Sequence, residues 1–229
     1  MNIIKESIHL IGITVALFVH SLACGQGSFQ NLDFEQANPV IVVGSPLYPY
    51  AVTAASALPY WTVVAGGNQL SVITENDPST GSAWVSLVAA PGAWGYVPLD
   101  GNYSVLIQGG GLGASISQTG LIPSGTESLL FDAMALPDSG SMAVYVGTQS
   151  VALSAVGSGP NYTIYGANIS AWAGETEQLT FEVPGYSGNW EFDDIQFSTA
   201  ALTPEPSPVA LTALSGLLFG ARMWLARRE

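Results

Sequence analysis

From residue 26 to residue 201 the sequence never sustains a helical period. It offers short runs of β-branched and aromatic residues, each closed by Gly, Pro, Asn, Asp or Ser. That punctuation confines the chain to an all-β sandwich or barrel, and about 175 residues is one domain's worth. Strands are expected at 29–35, 40–43, 61–64, 70–74, 83–88, 103–108, 114–119, 128–135, 142–146, 151–155, 162–165, 177–183 and 190–198. Tyr103, Val105 and Ile107 alternate with smaller or polar neighbours, as do Leu179, Phe181 and Val183, the mark of strands with one buried face. Gly147-Thr148 reads as a hairpin turn. Residues 169–174 read as one short helical turn.

Charge narrows the chemistry. The chain has 229 residues, 4 Lys+Arg and 17 Asp+Glu, a formal net charge of -13. Every basic residue (Lys5, Arg222, Arg227, Arg228) lies near a terminus, as do both histidines, His9 and His20. Leaving out Glu6, Glu205 and Glu229, the interior holds 14 acids and no Lys or Arg. Nucleic-acid binding needs cations against phosphates. Ser-His-Asp or Cys-His catalysis needs a histidine, and a Schiff base needs a lysine. What survives is carboxylate chemistry, oxygen-ligand metal binding and recognition by aromatic rings and neutral hydrogen-bonding groups.

Both ends read as address labels. Lys5 is followed by an apolar stretch from Ile8 to Ala23 and by Ala23-Cys24-Gly25-Gln26, a secretory signal peptide over 1–25 with signal peptidase as its partner. Cys24 is also a candidate lipidation site, although Ser21 stands where a lipoprotein signal prefers Leu. Cleavage after Gly25 leaves no cysteine, and hence no disulfide or thiol chemistry. At the other end, Thr203-Pro204-Glu205-Pro206-Ser207-Pro208 precedes an apolar run from Val209 to Ala221, and the span from Val209 to Ala226 is roughly the 18 residues a membrane helix needs. Arg222, Arg227 and Arg228 would hold the far end in the cytoplasm. This order of Pro-Glu-Pro, apolar helix and basic tail over 202–229 resembles the PEP-CTERM sorting signal. The resemblance implies cleavage at Pro204, Glu205 and Pro206 by an exosortase-type membrane protease, transient C-terminal anchoring, and delivery to the bacterial surface or the extracellular space. Trp224 interrupts the basic cluster and Glu229 ends the chain, a departure from the family's usual run of arginines.

Between the labels, a series of motifs suggests a family for 26–201. Asn31-Leu-Asp-Phe-Glu35 opens the domain and Phe192-Asp-Asp-Ile-Gln-Phe197 closes it. Leu58-Pro-Tyr-Trp61, Pro98-Leu-Asp-Gly-Asn-Tyr-Ser104, Ser115-Ile-Ser-Gln-Thr119 and Ile169-Ser-Ala-Trp-Ala-Gly-Glu-Thr176 lie between them. The series resembles the galactose-binding-like jelly rolls, which include carbohydrate-binding modules. The resemblance implies a jelly-roll β-sandwich and a structural calcium ion where first and last strands meet, held by Glu35 and Asp194. Calcium takes hard oxygen ligands, which suits an acidic chain. Asp193 and Asp194 should face opposite sides of their strand, so one of them is expected to be buried.

Sugar recognition by such domains combines an aromatic platform with amide and carboxylate hydrogen bonds. Trp94 and Tyr96, in the Gly-rich Pro91-Gly-Ala-Trp-Gly-Tyr96, are the platform candidates, with Tyr48-Pro49-Tyr50 a weaker second. Trp61, Phe131, Phe181 and Phe197 read as core. The expected function is a non-catalytic, exported protein that binds carbohydrate or associates with extracellular polysaccharide. A purely structural envelope protein and, more remotely, a carboxylate-dependent glycan-active enzyme are the alternatives; the enzyme would need two acids across a cleft. Asn102, Asn161 and Asn168 match the glycosylation sequon, a match that a bacterial sorting signal makes incidental.

Overall fold

The computed structural model describes residues 29–77, 81–91 and 96–202. Fourteen strands among the described residues form two sheets that face each other as a β-sandwich. The larger sheet runs in the order β1 (Ala51–Thr53), β4 (Val72–Glu75), β5 (Trp84–Ala89), β6 (Tyr103–Gln108), β14 (Asn189–Ser198), β8 (Ser128–Ala135), β12 (Thr163–Asn168) and β11 (Ser154–Ser158). The smaller runs β10 (Gln149–Ser150), β9 (Ala143–Val146), β13 (Thr176–Val183), β7 (Ala114–Leu121), β2 (Thr62–Ala65) and β3 (Asn68–Gln69). Pairing is antiparallel except between β4 and β5. One helical turn, α1 (Ala54–Ala57), follows β1.

Alternation puts Val105 and Ile107 of β6, Phe131 and Ala133 of β8 and Phe192 of β14 on the inner face of the large sheet. They meet Ile116 of β7, Phe181 and Val183 of β13 and Val144 of β9 from the small one. At the centre, Phe181 meets Phe131 edge-on at 5.0 Å and Phe192 at 5.5 Å. Each such ring removes enough apolar surface from water to contribute about 2–3 kcal/mol.

The outer face of the large sheet is buried as well, and it is polar. Thr74, Ser86, Ser104, Gln108, Asp132, Glu191 and Asp193 are all buried there. Residues 96–102, between β5 and β6, fold back over this face. The Asp100 amide donates to Asp193 Oδ2 at 3.1 Å, and Tyr96 lies within electrostatic reach of Glu191.

Most expected strands form, some shifted by one to three residues. Two do not. Residues 31–36 make a succession of turns, with Asn31 and Phe34 at φ 52° and 56°, because the Asn31 side chain accepts a bond from the Gln36 amide and holds the backbone out of a ladder. Phe29, Leu32 and Phe34 still reach the core, and the Ile195 amide donates to Leu32 O at 2.9 Å. Residues 40–43 contribute one bridge, Ile41 to Val52. The expected helical turn is a 3₁₀ turn at Ser170–Trp172, and Gly147 turns between β9 and β10. The signal peptide and the sorting signal, including Pro204, Glu205 and Pro206, lie outside the described residues. No helix among the described residues is long and apolar enough to cross a membrane.

Candidate functional site

A cleft of about 330 Å³ opens at one end of the sandwich, where β8 finishes and the β11–β12 hairpin turns. Its wall combines Tyr162, Tyr165, Pro160 and Met134 with the polar Asn161 and Thr163. Tyr165 is fixed from the core side: it stacks on Phe131 at 5.8 Å and meets Trp190 edge-on at 6.0 Å. Tyr162 is fixed at both ends. Its ring lies so close to Gly159 that any Cβ there would strike it, and its hydroxyl lies within interaction range of the Asp132 carboxylate. Two tyrosine rings and a set of neutral hydrogen-bonding groups are therefore presented in one place without the cost of ordering them at binding. A second cleft, about 400 Å³, is walled mostly by small side chains beside α1 and the buried Trp61 and presents no comparable pair of rings.

Asp132 joins the cleft to the buried carboxyls of the outer face. Asp193 stands opposite Asp132 in the β14–β8 ladder, and Glu191, two residues before Asp193, points to the same face. Burial pushes Asp132 up to about 6, with the charges of Asp194 and Asp100 adding to the rise against the Tyr162 bond. Burial raises Glu191 to about 7 against its bond from the Ser104 hydroxyl, and Asp193 to about 8 against the amides of Asp100 and Asp194. Glu191 Oε2 is buried with no hydrogen-bond partner. No Lys or Arg occurs between Glu6 and Ala221, so no basic side chain of the domain neutralises these groups, and burial favours their protonated forms.

No protein-family model matches the sequence, and no curated protein does. Solved structures similar to it at low identity include the following two. TmCBM61, solved in complex with β-1,4-galactotriose, is 17% identical with a TM-score of 0.37; the match covers 76% of this chain and 98% of that one. The enzymatically active domain of tailspike protein 4 of bacteriophage CBA120 is 14% identical with a TM-score of 0.36. That match covers 61% of this chain but only 19% of the tailspike chain. Likeness at this level assigns no role.

The residues singled out from sequence fall elsewhere. Trp94 lies outside the described residues. Tyr96 is half-buried, its hydroxyl pushed up by burial and by the charge of Glu191. Glu35 works as a clamp: its Oε1 accepts the amides of Asn102 (2.6 Å) and Tyr103 (2.9 Å), and its Oε2 accepts the Asn102 side chain (2.9 Å). Burial opposes the charged form, but these three bonds outweigh it and hold the carboxyl below its ordinary range. Asp194 sits at a β-bulge with φ 44° and accepts a bond from Gln196. The buried member of its pair is Asp193. Both oxygens of Glu35 accept from neutral donors, as a turn clamp does. Among the described residues, no three acidic side chains are arranged to hold a metal ion.

Sequence reading missed the cleft. From sequence, Asn161-Tyr-Thr163 reads as a sequon and the start of a strand, and its partner strand β8 is some thirty residues earlier in the chain. Tyr162, between a Gly-Pro-Asn turn and a strand, was the available signal.

Proposed function

We propose that the protein is an exported, non-catalytic carbohydrate-binding domain of jelly-roll type, which recognises neutral sugars in the cleft between Tyr162 and Tyr165. Supporting the jelly-roll reading is the nesting of consecutive strands: β6-β14-β8-β12 in one sheet faces β7-β13-β9-β10 in the other. The binding reading rests on one observation above all. Tyr162 is held between Gly159 and Asp132 at the wall of an open cleft, as a platform for a pyranose ring requires. Asn161 and Thr163 beside it suit sugar hydroxyls, and the lack of cationic side chains favours uncharged glycans. A non-catalytic role is supported by the placement of the buried carboxyls. Asp193 and Asp132 are neighbours on adjacent strands of one covered face, not a pair across a cleft. Export and sorting are inferred from the terminal segments: signal peptidase removes 1–25, and an exosortase-type protease acts at Pro204-Glu205-Pro206 to leave the domain at the surface or in an extracellular polysaccharide layer.

The test is affinity electrophoresis of the full chain in gels cast with β-1,4-galactan, xylan, β-glucan or mannan. Retardation in at least one gel, lost in Tyr162→Ala, is the expected result. Unretarded migration of folded wild-type protein in all four would overturn the reading.

A further inference from the structure

Tyr186 is the most exposed of the large apolar and aromatic side chains described, at 91%, and Leu112 is also largely exposed, at 79%. They belong to two loops locked together at the same end of the sandwich as the cleft. The Tyr186 amide donates to Gly110 O at 2.6 Å, and the Tyr186 hydroxyl passes over Gly111. Gly185 packs so close to the Gly111 carbonyl that a Cβ would lie 2.7 Å from its oxygen. On the other flank, the Gly140 amide donates to Ser187 O at 2.9 Å. Gly188 is pressed against Ser139, where a Cβ would come within 2.7 Å. The backbone beneath Tyr186 is thus fixed on both sides, and the ring projects from it into solvent.

That position is unfavourable for a tyrosine in two respects. Its φ is 62°, a left-handed conformation that glycine adopts freely and a bulky residue does not. Its ring also gains almost no burial on folding. A residue that folding alone would replace by glycine points to a use outside the fold. The adjoining loop leads to the cleft: Ala135, part of the cleft wall, is followed by Leu136, whose amide donates to Asn189 O at 3.0 Å. Residues 139 and 140 then meet the Tyr186 loop.

We propose that Tyr186, with Leu112 beside it, is a second sugar-stacking subsite, and that the ligand is an internal stretch of a neutral polysaccharide running from the Tyr162–Tyr165 cleft across the 136–140 loop. This inference rests on the proposed carbohydrate reading and adds the class of ligand: a chain several units long, not a single terminal sugar. An exposed ring stacks on the apolar face of a pyranose, and the lack of Lys or Arg between Glu6 and Ala221 leaves anionic chains without a counter-charge.

The experiment is calorimetric titration of the full chain with the di- to hexasaccharides of β-1,4-galactan, xylan, β-glucan and mannan, for wild type and Tyr186→Gly. Glycine suits φ 62°, so the variant's melting temperature should be unchanged or higher. Wild-type affinity should rise by about tenfold or more from disaccharide to hexasaccharide. In Tyr186→Gly the disaccharide affinity should stay within about twofold of wild type while the gain with length disappears. A gain with length that survives in Tyr186→Gly overturns this inference, as does wild-type binding that does not depend on length; both leave the carbohydrate reading intact. Wild-type protein that binds none of the sugars removes that reading and this one together.

Discussion

Asp193 of β14 and Asp132 of β8 stand directly opposite each other in an antiparallel ladder, both buried, on a sheet face that carries a third buried carboxyl, Glu191. Directly paired strand residues bring their Cβ atoms within about 4.5–5.5 Å, where like charges repel. Burial shifts both carboxyls toward the protonated form.

Stability should therefore fall as pH rises. Burial, opposed by amide bonds, lifts Asp193 to about 8; burial against the Ser104 bond lifts Glu191 to about 7. A carboxyl whose folded pKa exceeds its unfolded one stabilises the fold fully below the unfolded value, near 4. That contribution is lost as pH climbs through the folded value, at up to about 1.4 kcal/mol per pH unit per group. Urea unfolding at pH 5, 6, 7 and 8 should show a steadily declining free energy. A rise across that interval would show that these groups are ionised in the folded state.

Removing one charge should reduce the slope. In Asp132→Asn the side-chain oxygen can still accept the Tyr162 hydroxyl, and in Glu191→Gln the oxygen can still accept Ser104. Each variant should gain on wild type by about 1–2 kcal/mol between pH 5 and pH 8. Asp132→Asn tests the pair and Glu191→Gln the lone group, so their urea midpoints at pH 8 apportion the slope. No gain on wild type between pH 5 and pH 8 in either variant would contradict the account.

Much of the scaffold was legible because its central strands advertise themselves. Residues 103–108 and 128–135 were read with the bounds the structure gives, since their apolar runs are closed on both sides by turn residues. Residues 29–35 misled because Phe29, Leu32 and Phe34 are core residues carried by turns; a side-chain pattern reports burial, not the ladder. The Tyr162 cleft and the Asp193–Asp132 pair escaped notice for another reason. Both join residues some thirty to sixty positions apart, and only strand order brings them together. Tyr186, in Pro184-Gly-Tyr-Ser-Gly188, carries the same Gly-rich aromatic signal that drew attention to Trp94 and Tyr96, and was open to the same reading.

The sorting proposal predicts a defect confined to processing. Deleting Pro204 to Pro206 removes the protease's recognition motif but leaves the apolar run from Val209 to Ala221 and the arginines after it. The protein should then accumulate at full length, apart from its signal peptide, in the membrane fraction of its native host. Normal release of a shortened form, judged by immunoblot of fractions, would contradict the role given to that triplet.

The Glu35 clamp predicts a pair of matched losses. Glu35→Ala frees two backbone amides and a side-chain amide on the turn that leads into β6. Hydrogen bonds to a charged acceptor contribute about 1.5–3 kcal/mol, and the site's partial exposure places the cost at the lower end, about 1–2 kcal/mol. Gly101→Ala should cost at least as much. Gly101 sits at φ 59° directly under the Glu35 carboxylate, so a methyl group there adds backbone strain and displaces the clamp. The double variant should lose less than the sum of the two, because both changes break the same bonds. Since neutral donors already occupy Glu35, EDTA should leave the wild-type melting temperature unchanged. A fall of several degrees on chelation, restored by calcium but not by magnesium, would return Glu35 and Asp194 to the metal role that the sequence resemblance implied.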